Sequence, residues 1–185
     1  MHRRRREKKT DYKQRLGLLK SGKLRFVVRR HNNSTVAQLV DWEEEGDKTV
    51  LQANSRDLEN FNWNGHKANL PAAYLTGYLL GKKAKDEGIE EAILDIGLQE
   101  NTTENRIYSA AKGMIDAGVE VPIGERMLPA EGRIRGEHIE NYAEQMSEGE
   151  KKEHFSKLIE NGFDPAETTQ NFEKTKENIN KKFGE

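Results

Sequence analysis

Cationic side chains crowd the first thirty residues. Arg3, Arg4, Arg5, Arg6, Lys8, Lys9, Lys13, Arg15, Lys20, Lys23, Arg25, Arg29 and Arg30 are opposed there only by Glu7 and Asp11. This density supports capture of a polyanion: each Lys or Arg that neutralises a phosphate releases a condensed counterion, and the arginine fork also grips phosphate oxygens or stacks on a base. Tyr12, set among these charges, offers a ring on which an unpaired RNA base can stack. A merely solvated or nuclear-targeting run is the competing reading, and it is weakened because the charge continues through Arg25, Arg29 and Arg30 into a strand-like alternation. A second cationic pair, Arg133 and Arg135, stands between Gly132 and Gly136 at the start of a helical pattern. Backbone amides and two guanidiniums at that place suit a phosphate, and a salt-bridged cap with Glu137 or Glu140 suits it nearly as well.

Catalytic chemistry is poorly supplied. Asp95, closing a short apolar run, is the one carboxylate that invites a two-metal nuclease, but the 24–30 segment offers no second carboxylate and Asp116 falls on a separate helix. His2, His31, His66, His138 and His154 show no metal-binding spacing, and the chain contains no cysteine, which removes disulfides, thiolate metal sites and a cysteine nucleophile. There is no glycine-rich phosphate cradle and no Gly-x-Ser-x-Gly elbow. The expectation is therefore a non-enzyme with no cofactor, no metal and no small-molecule substrate.

The elements that must hold the cations follow from pattern. Residues 1–23 read as an arm, extended or a short helix, ordered mainly by a partner, with Leu16, Leu18 and Leu19 pinning its end. Leu24, Phe26 and Val28 alternate with Arg25, Val27 and Arg29, as in a half-buried strand with one cationic side. Further strands are expected at about 35–42 and 49–53, completing an antiparallel meander around the 43–47 turn. Asn69-Leu70-Pro71 opens a helix that stops at Gly88. Along it Leu75 and Leu79 form a core stripe, while Ala73, Gly77 and Gly81 form a second stripe suited to close packing on the sheet or to an RNA backbone. Lys82, Lys83 and Lys85 suit the negative end of that helix. Ala92–Gly97 reads as a buried strand reached by a crossover, and a helix follows at about 103–117.

The fold class expected is α/β. It is a single layered domain at 24–128 with a mixed sheet and packed helices, preceded by the basic RNA-binding arm 1–23 and followed by a charged helical extension 129–185. That extension, patterned at about 135–147, 149–161 and 167–183, is sparsely apolar and suits an appendage lying across the body or reaching a neighbour. The whole-chain net charge of −1 conceals a basic arm on an acidic body. With no apolar stretch behind the opening residues and no run of about 18 apolar residues, a soluble cytoplasmic protein without a membrane partner is expected.

Five separated segments carry a family resemblance: RRRREKKTDY at 3–12, RLGLLKSGK at 15–23, NLPAAYLTG at 69–77, LDIGL at 94–98 and RIRGEHI at 133–139. Together, and in this order, they resemble the archaeal form of the large-subunit ribosomal protein L-eighteen family, whose eukaryotic counterpart is called L-five. The resemblance implies a mixed-sheet body bound to 5S ribosomal RNA in the central protuberance of the large ribosomal subunit. Contacts to the large-subunit rRNA and neighbouring ribosomal proteins are implied with it. Carried over by position, the arm from Arg3 to Lys23 with Tyr12 grips 5S RNA, Arg25, Arg29 and Arg30 extend the contact, and Asp95 is structural. Residues after about 146 match nothing in that family's pattern and read as a lineage-specific tail.

Overall fold

The computed structural model describes residues 3–184. His2 and the other end residues of the arm and the extension, Met1 and Glu185, lie outside the described residues.

The arm forms two short helices, α1 (Arg3–Arg6) and α2 (Tyr12–Leu19). Asp11 caps α2, its carboxylate accepting from Lys13 N at 2.9 Å and Gln14 N at 3.2 Å, which satisfies two of the otherwise orphaned amides of a first turn. Strands β1 (Arg25–Arg30), β2 (Thr35–Asp41) and β3 (Lys48–Asn54) form the meander. After a 3-10 segment at Ser55–Phe61, helix α3 (Leu70–Asp86) crosses over to β4 (Ile93–Asp95). The sheet order is β3-β2-β1-β4. The first two pairings are antiparallel; β4 runs parallel to β1, with Arg25 opposite Ile93 and Val27 opposite Asp95. A mixed sheet of meander plus crossover strand is what the pattern implied. β4 is shorter than expected because the chain turns at Gly97, whose φ of +61° a strand residue does not adopt.

Period-two alternation places Phe26, Val28, Ala37, Leu39 and Ala53, all fully buried, on one sheet face beneath the helical layer, where α3 packs on β2 and β3. Helix α4 (Arg106–Asp116) packs beside α3 and starts three residues later than its apolar pattern, because Asn105 caps it by accepting from Ile107 N at 2.8 Å. The small-residue stripe is used for packing, but against α4 and not against the sheet. A Cβ on Gly77 would lie 1.8 Å from Ala110 O, one on Gly81 2.5 Å from Ala117 Cβ, and one on Gly113 of α4 2.1 Å from Tyr74 O. The two helices meet backbone to backbone, so no RNA strand has access to that stripe.

Downstream lie α5 (Glu131–Arg135), α6 (Glu137–Glu144), α7 (Glu148–His154), α8 (Ser156–Glu160) and α9 (Thr168–Lys182). Of these, α5 and α9 pack on α3 and finish the core, whereas no residue of α7 or α8 is buried. Phe163 meets Trp63 edge-on at 5.7 Å, and Phe172 packs 5.4 Å from Tyr74. Tyr78 Oη donates to Asn180 Oδ1 at 2.7 Å, and Ile134, Phe172 and Ile179 join the same apolar cluster as the sheet. The helices therefore cover one sheet face only, as in a two-layer α/β arrangement, and the other face is left to the arm.

Candidate nucleic-acid interface

On the sheet face away from α3, Arg25, Val27 and Arg29 of β1 project with Gln38 and Val40 of β2, as period two requires. The arm lies over this face, and the space between them is a groove of about 1010 Å³ whose cationic and aromatic lining includes Arg4, Lys9, Tyr12, Arg15, Arg29 and Arg30. A smaller hollow of about 320 Å³ opens among Arg5, Lys8, Tyr12, Lys13 and Leu98.

A chain of alternating charges fixes the groove. Arg15 of α2 donates in parallel to both oxygens of Asp47, at 2.9 and 2.8 Å. Asp47 also lies 2.7 Å from Arg25 Nη2, and Arg25 Nη1 donates to Asp95 at 3.0 Å. Asp95 accepts from Gly97 N at 2.8 Å and lies 3.5 Å from Arg29 Nη2, while Arg29 Nη1 donates to Asp95 O and Val28 O, each at 2.9 Å. Burial pushes the Asp47 carboxyl upward, but Arg25 and Arg15 outweigh it and hold the group below the usual carboxylate range. Asp95 is thus a structural anion and not the centre of a carboxylate cluster. Among the described residues, no three acidic or histidine side chains gather as they would around a metal ion.

The cations foreseen from the sequence fall into distinct groups. Arg5, Arg6, Lys8, Lys13 and Lys20 are exposed. Arg4 donates to Thr10 Oγ1 at 2.9 Å; Arg3 and Lys9 flank Glu7 at 3.7 and 3.1 Å. Lys23 pairs with Glu91, and that hydrogen bond raises its pKa. Arg25 departs from the picture of an open cationic edge: it is 4% exposed, its guanidinium enclosed by Asp47 and Asp95. Arg133 and Arg135 are not part of the groove. They sit on α5, which packs on α3 and α9 in the helical layer, and Arg135 pairs with Glu131 and Glu173 rather than with Glu137 or Glu140. Glu140 instead accepts from Thr169. Leu16 is exposed, whereas Leu18 and Leu19 are half-buried, so only the latter two help seat the arm.

Two arginines were not singled out from the sequence. Arg56 and Arg30 line a further hollow of about 640 Å³ around the β1–β2 turn at His31–Ser34. Arg106 donates to His31 O at 3.0 Å and Ala68 O at 2.9 Å; burial, then the nearby charge of Arg30, lowers its pKa. Each is a lone cation in its own segment, and only the fold brings them to one edge.

An α/β sheet with its helical layer on one face and a basic arm over an arginine-lined groove on the other defines the structural class: a two-layer α/β domain with a cationic platform. Sequence comparison agrees. Residues 1–91 and 82–124 match the family of ribosomal large subunit proteins 60S L5 and 50S L18. Over 177 residues the chain is 47% identical to large ribosomal subunit protein uL18 of Methanothermobacter thermautotrophicus and 46% identical to that of Methanobrevibacter smithii, in each case covering 96% of this chain and 92% of the relative. The chain therefore belongs to this family of large-subunit ribosomal proteins, in its archaeal form. Coverage of that extent takes in most of the segment after residue 146, so the tail is shared with these relatives and is not peculiar to this chain. No helix among the described residues is long and apolar enough to cross a membrane.

Proposed function

We propose that this protein is a structural, non-catalytic constituent of the large ribosomal subunit that binds 5S ribosomal RNA and helps attach it to the large-subunit rRNA in the central protuberance. The observation that carries the reading is the groove between arm and sheet, where cations of the arm (Arg4, Lys9, Arg15) and of β1 (Arg29, Arg30) line the same space. Phosphate contacts there supply affinity, and the shape of the platform supplies selectivity for a folded RNA over an arbitrary strand. Arg3, Arg5, Arg6, Lys8, Lys13, Lys20 and Lys23 extend the charged surface along the arm, and Tyr12 offers a stacking ring. Arg25 orders the platform from beneath. Arg133, exposed on the opposite layer, and Arg135 are left for large-subunit rRNA or a neighbouring ribosomal protein. No cofactor or small-molecule substrate is required, and the place of action is the cytoplasm.

The test compares binding of the purified protein to 5S RNA and to a structured RNA of equal length across a salt series, for wild type and for Arg4, Arg5 and Arg6 all replaced by Gln. Selective binding with a steep salt dependence is expected, and the triple variant should bind more weakly with its log–log salt slope reduced by roughly 2–3, since each lost phosphate contact removes about 0.9. Equal, weak binding to both RNAs would overturn the assignment.

A further inference from the structure

An acidic residue in an RNA groove ought to oppose binding, yet Asp47 sits in this one. It lines the same space as Arg15, Arg29 and Arg30 and belongs to the acidic turn Glu43-Glu44-Glu45-Gly46-Asp47 between β2 and β3. From its contacts we infer that Asp47 is a positioning residue for RNA binding: it clasps helix α2 to the sheet through Arg15 and so holds the groove open in its binding shape.

Three observations carry this. First, α2 has little else to fix its place. None of its eight residues is buried, Leu16 is 55% exposed, and the hinge behind it at Gly22 has a φ of +66° with no heavy atom within 4 Å of where a Cβ would stand. Half-buried Leu18 and Leu19 seat the end of this short helix, but without a fully buried face they do not by themselves fix its orientation. Second, the Arg15–Asp47 pair has the geometry that does fix a position: two parallel hydrogen bonds with both side chains about 70% covered (30% and 27% exposed), a bidentate fork worth more in orientation than a single-point pair. Third, Asp47 is shared. Its other contact is Arg25, which is held from the far side by Asp95, so the clasp ends on a buried strand and not on a flexible loop. The carboxylate's charge is engaged by two guanidiniums, which leaves little of it to repel a phosphate. Its exposed neighbours Glu43, Glu44 and Glu45 have no such contact with the arm: Glu43 pairs with Lys48 instead.

The inference rests on the proposed RNA-binding function and makes a prediction opposite in sign to simple charge counting. Asp47→Asn and Glu44→Gln each remove one negative charge from the same turn, so any gain from net charge is common to both. Binding to 5S RNA is measured for wild type, Asp47→Asn, Asp47→Glu and Glu44→Gln at one salt concentration. In parallel, and without RNA, trypsin cleavage at Lys13, Arg15, Lys20 and Lys23 is followed, with thermal unfolding recording the state of the body. Glu44→Gln should bind as wild type or slightly tighter. Asp47→Asn should bind about tenfold more weakly, the scale expected when a pre-ordered arm must be ordered on binding, and its arm should be cut several-fold faster. Asp47→Glu should recover part of both effects. A midpoint of thermal unfolding that falls as well does not excuse the result, because the comparison is then made on Asp47→Glu, which keeps the charge on Arg25. Asp47→Asn binding as tightly as Glu44→Gln overturns the positioning role. If wild type itself shows no selectivity for 5S RNA, the functional proposal falls, and the protease series alone decides the clasp: unchanged cleavage in Asp47→Asn overturns it, faster cleavage upholds it.

Discussion

Gly77→Ala adds one methyl group to the middle of α3, and the structure sets its cost. The new Cβ would lie 1.8 Å from Ala110 O and 2.6 Å from Ala110 C, both backbone atoms of α4 that no rotamer change can remove. Ordinary carbon contacts are about 3.5 Å, so α4 must retreat by roughly 1.5 Å, and a gap of half to one ångström already forfeits a quarter to a half of each dispersion contact along the interface. Overpacking of this kind costs about 1–3 kcal/mol and sometimes more, while alanine's better helix propensity returns about 1 kcal/mol. Because the added carbon meets backbone, and the approach is equally close at Gly113 against Tyr74 O, the upper part of the range applies, and the net loss should be about 2 kcal/mol. For a chain of this size that lowers the thermal midpoint by about 4–8 °C. The control is Gly17→Ala in α2, the same substitution in a helix where nothing stands within 4 Å of the added carbon; with only the propensity gain it should not lower the midpoint. Circular dichroism melts of both variants make the test. A Gly77→Ala midpoint within about 2 °C of wild type would show that the close approach of α3 and α4 does not constrain the fold.

Other outcomes follow from the buried charges. Asp95→Asn removes a partner from Arg25, whose side chain is 5% exposed, and stranding part of a buried pair costs about 3 kcal/mol; urea unfolding should show the loss at an unchanged m-value, and unaltered stability would mean Asp47 alone suffices for Arg25. His138 is held below its ordinary pKa of 6.5, first by burial and then by the charge of Arg133, so the unfolded chain binds its proton more readily than the native one. Stability should therefore fall as pH drops below 6.5 on this account, and in an NMR titration Arg133→Gln should move the His138 midpoint upward; a downward or absent movement contradicts the assignment.

Much of this architecture was readable in the chain, and the exceptions share a physical cause. Strong local periodicity located β1 to β3 and α3, and Asn69 and Pro71 marked where α3 starts. The 3-10 segment Ser55–Phe61 was missed because seven residues with a capping box and no sustained period look like loop. Alternation assigned Arg25 to the correct face of β1 but implied an open cation there. What encloses it is Asp47 and Asp95, far along the chain, and pairings at that separation leave no local trace. The small stripe on α3 was recognised as a packing surface, while its true counterpart needed Gly113, an isolated glycine without pattern of its own. Helix α9 read as an appendage lying across the body or reaching a neighbour, because its inward stripe is Phe172, Thr175 and Ile179 amid charged residues. Packing against α3, α5 and the Ser55–Phe61 segment makes that stripe part of the core. Whether the arm's cations touch RNA is a question of partners, which the chain's own packing does not encode.

The position of α9 has a consequence for biogenesis. Leu80 and Phe172 share one core but are made ninety-two residues apart, an interval on the order of 5–20 seconds of translation. Throughout it the emerging polypeptide already presents its cationic leader while Tyr74 and Tyr78 still lack their cover. On the proposed RNA-binding role, a nascent chain of this design would meet its polyanion before its own body can close, and a molecule of RNA captured at that stage would serve it as a scaffold against aggregation.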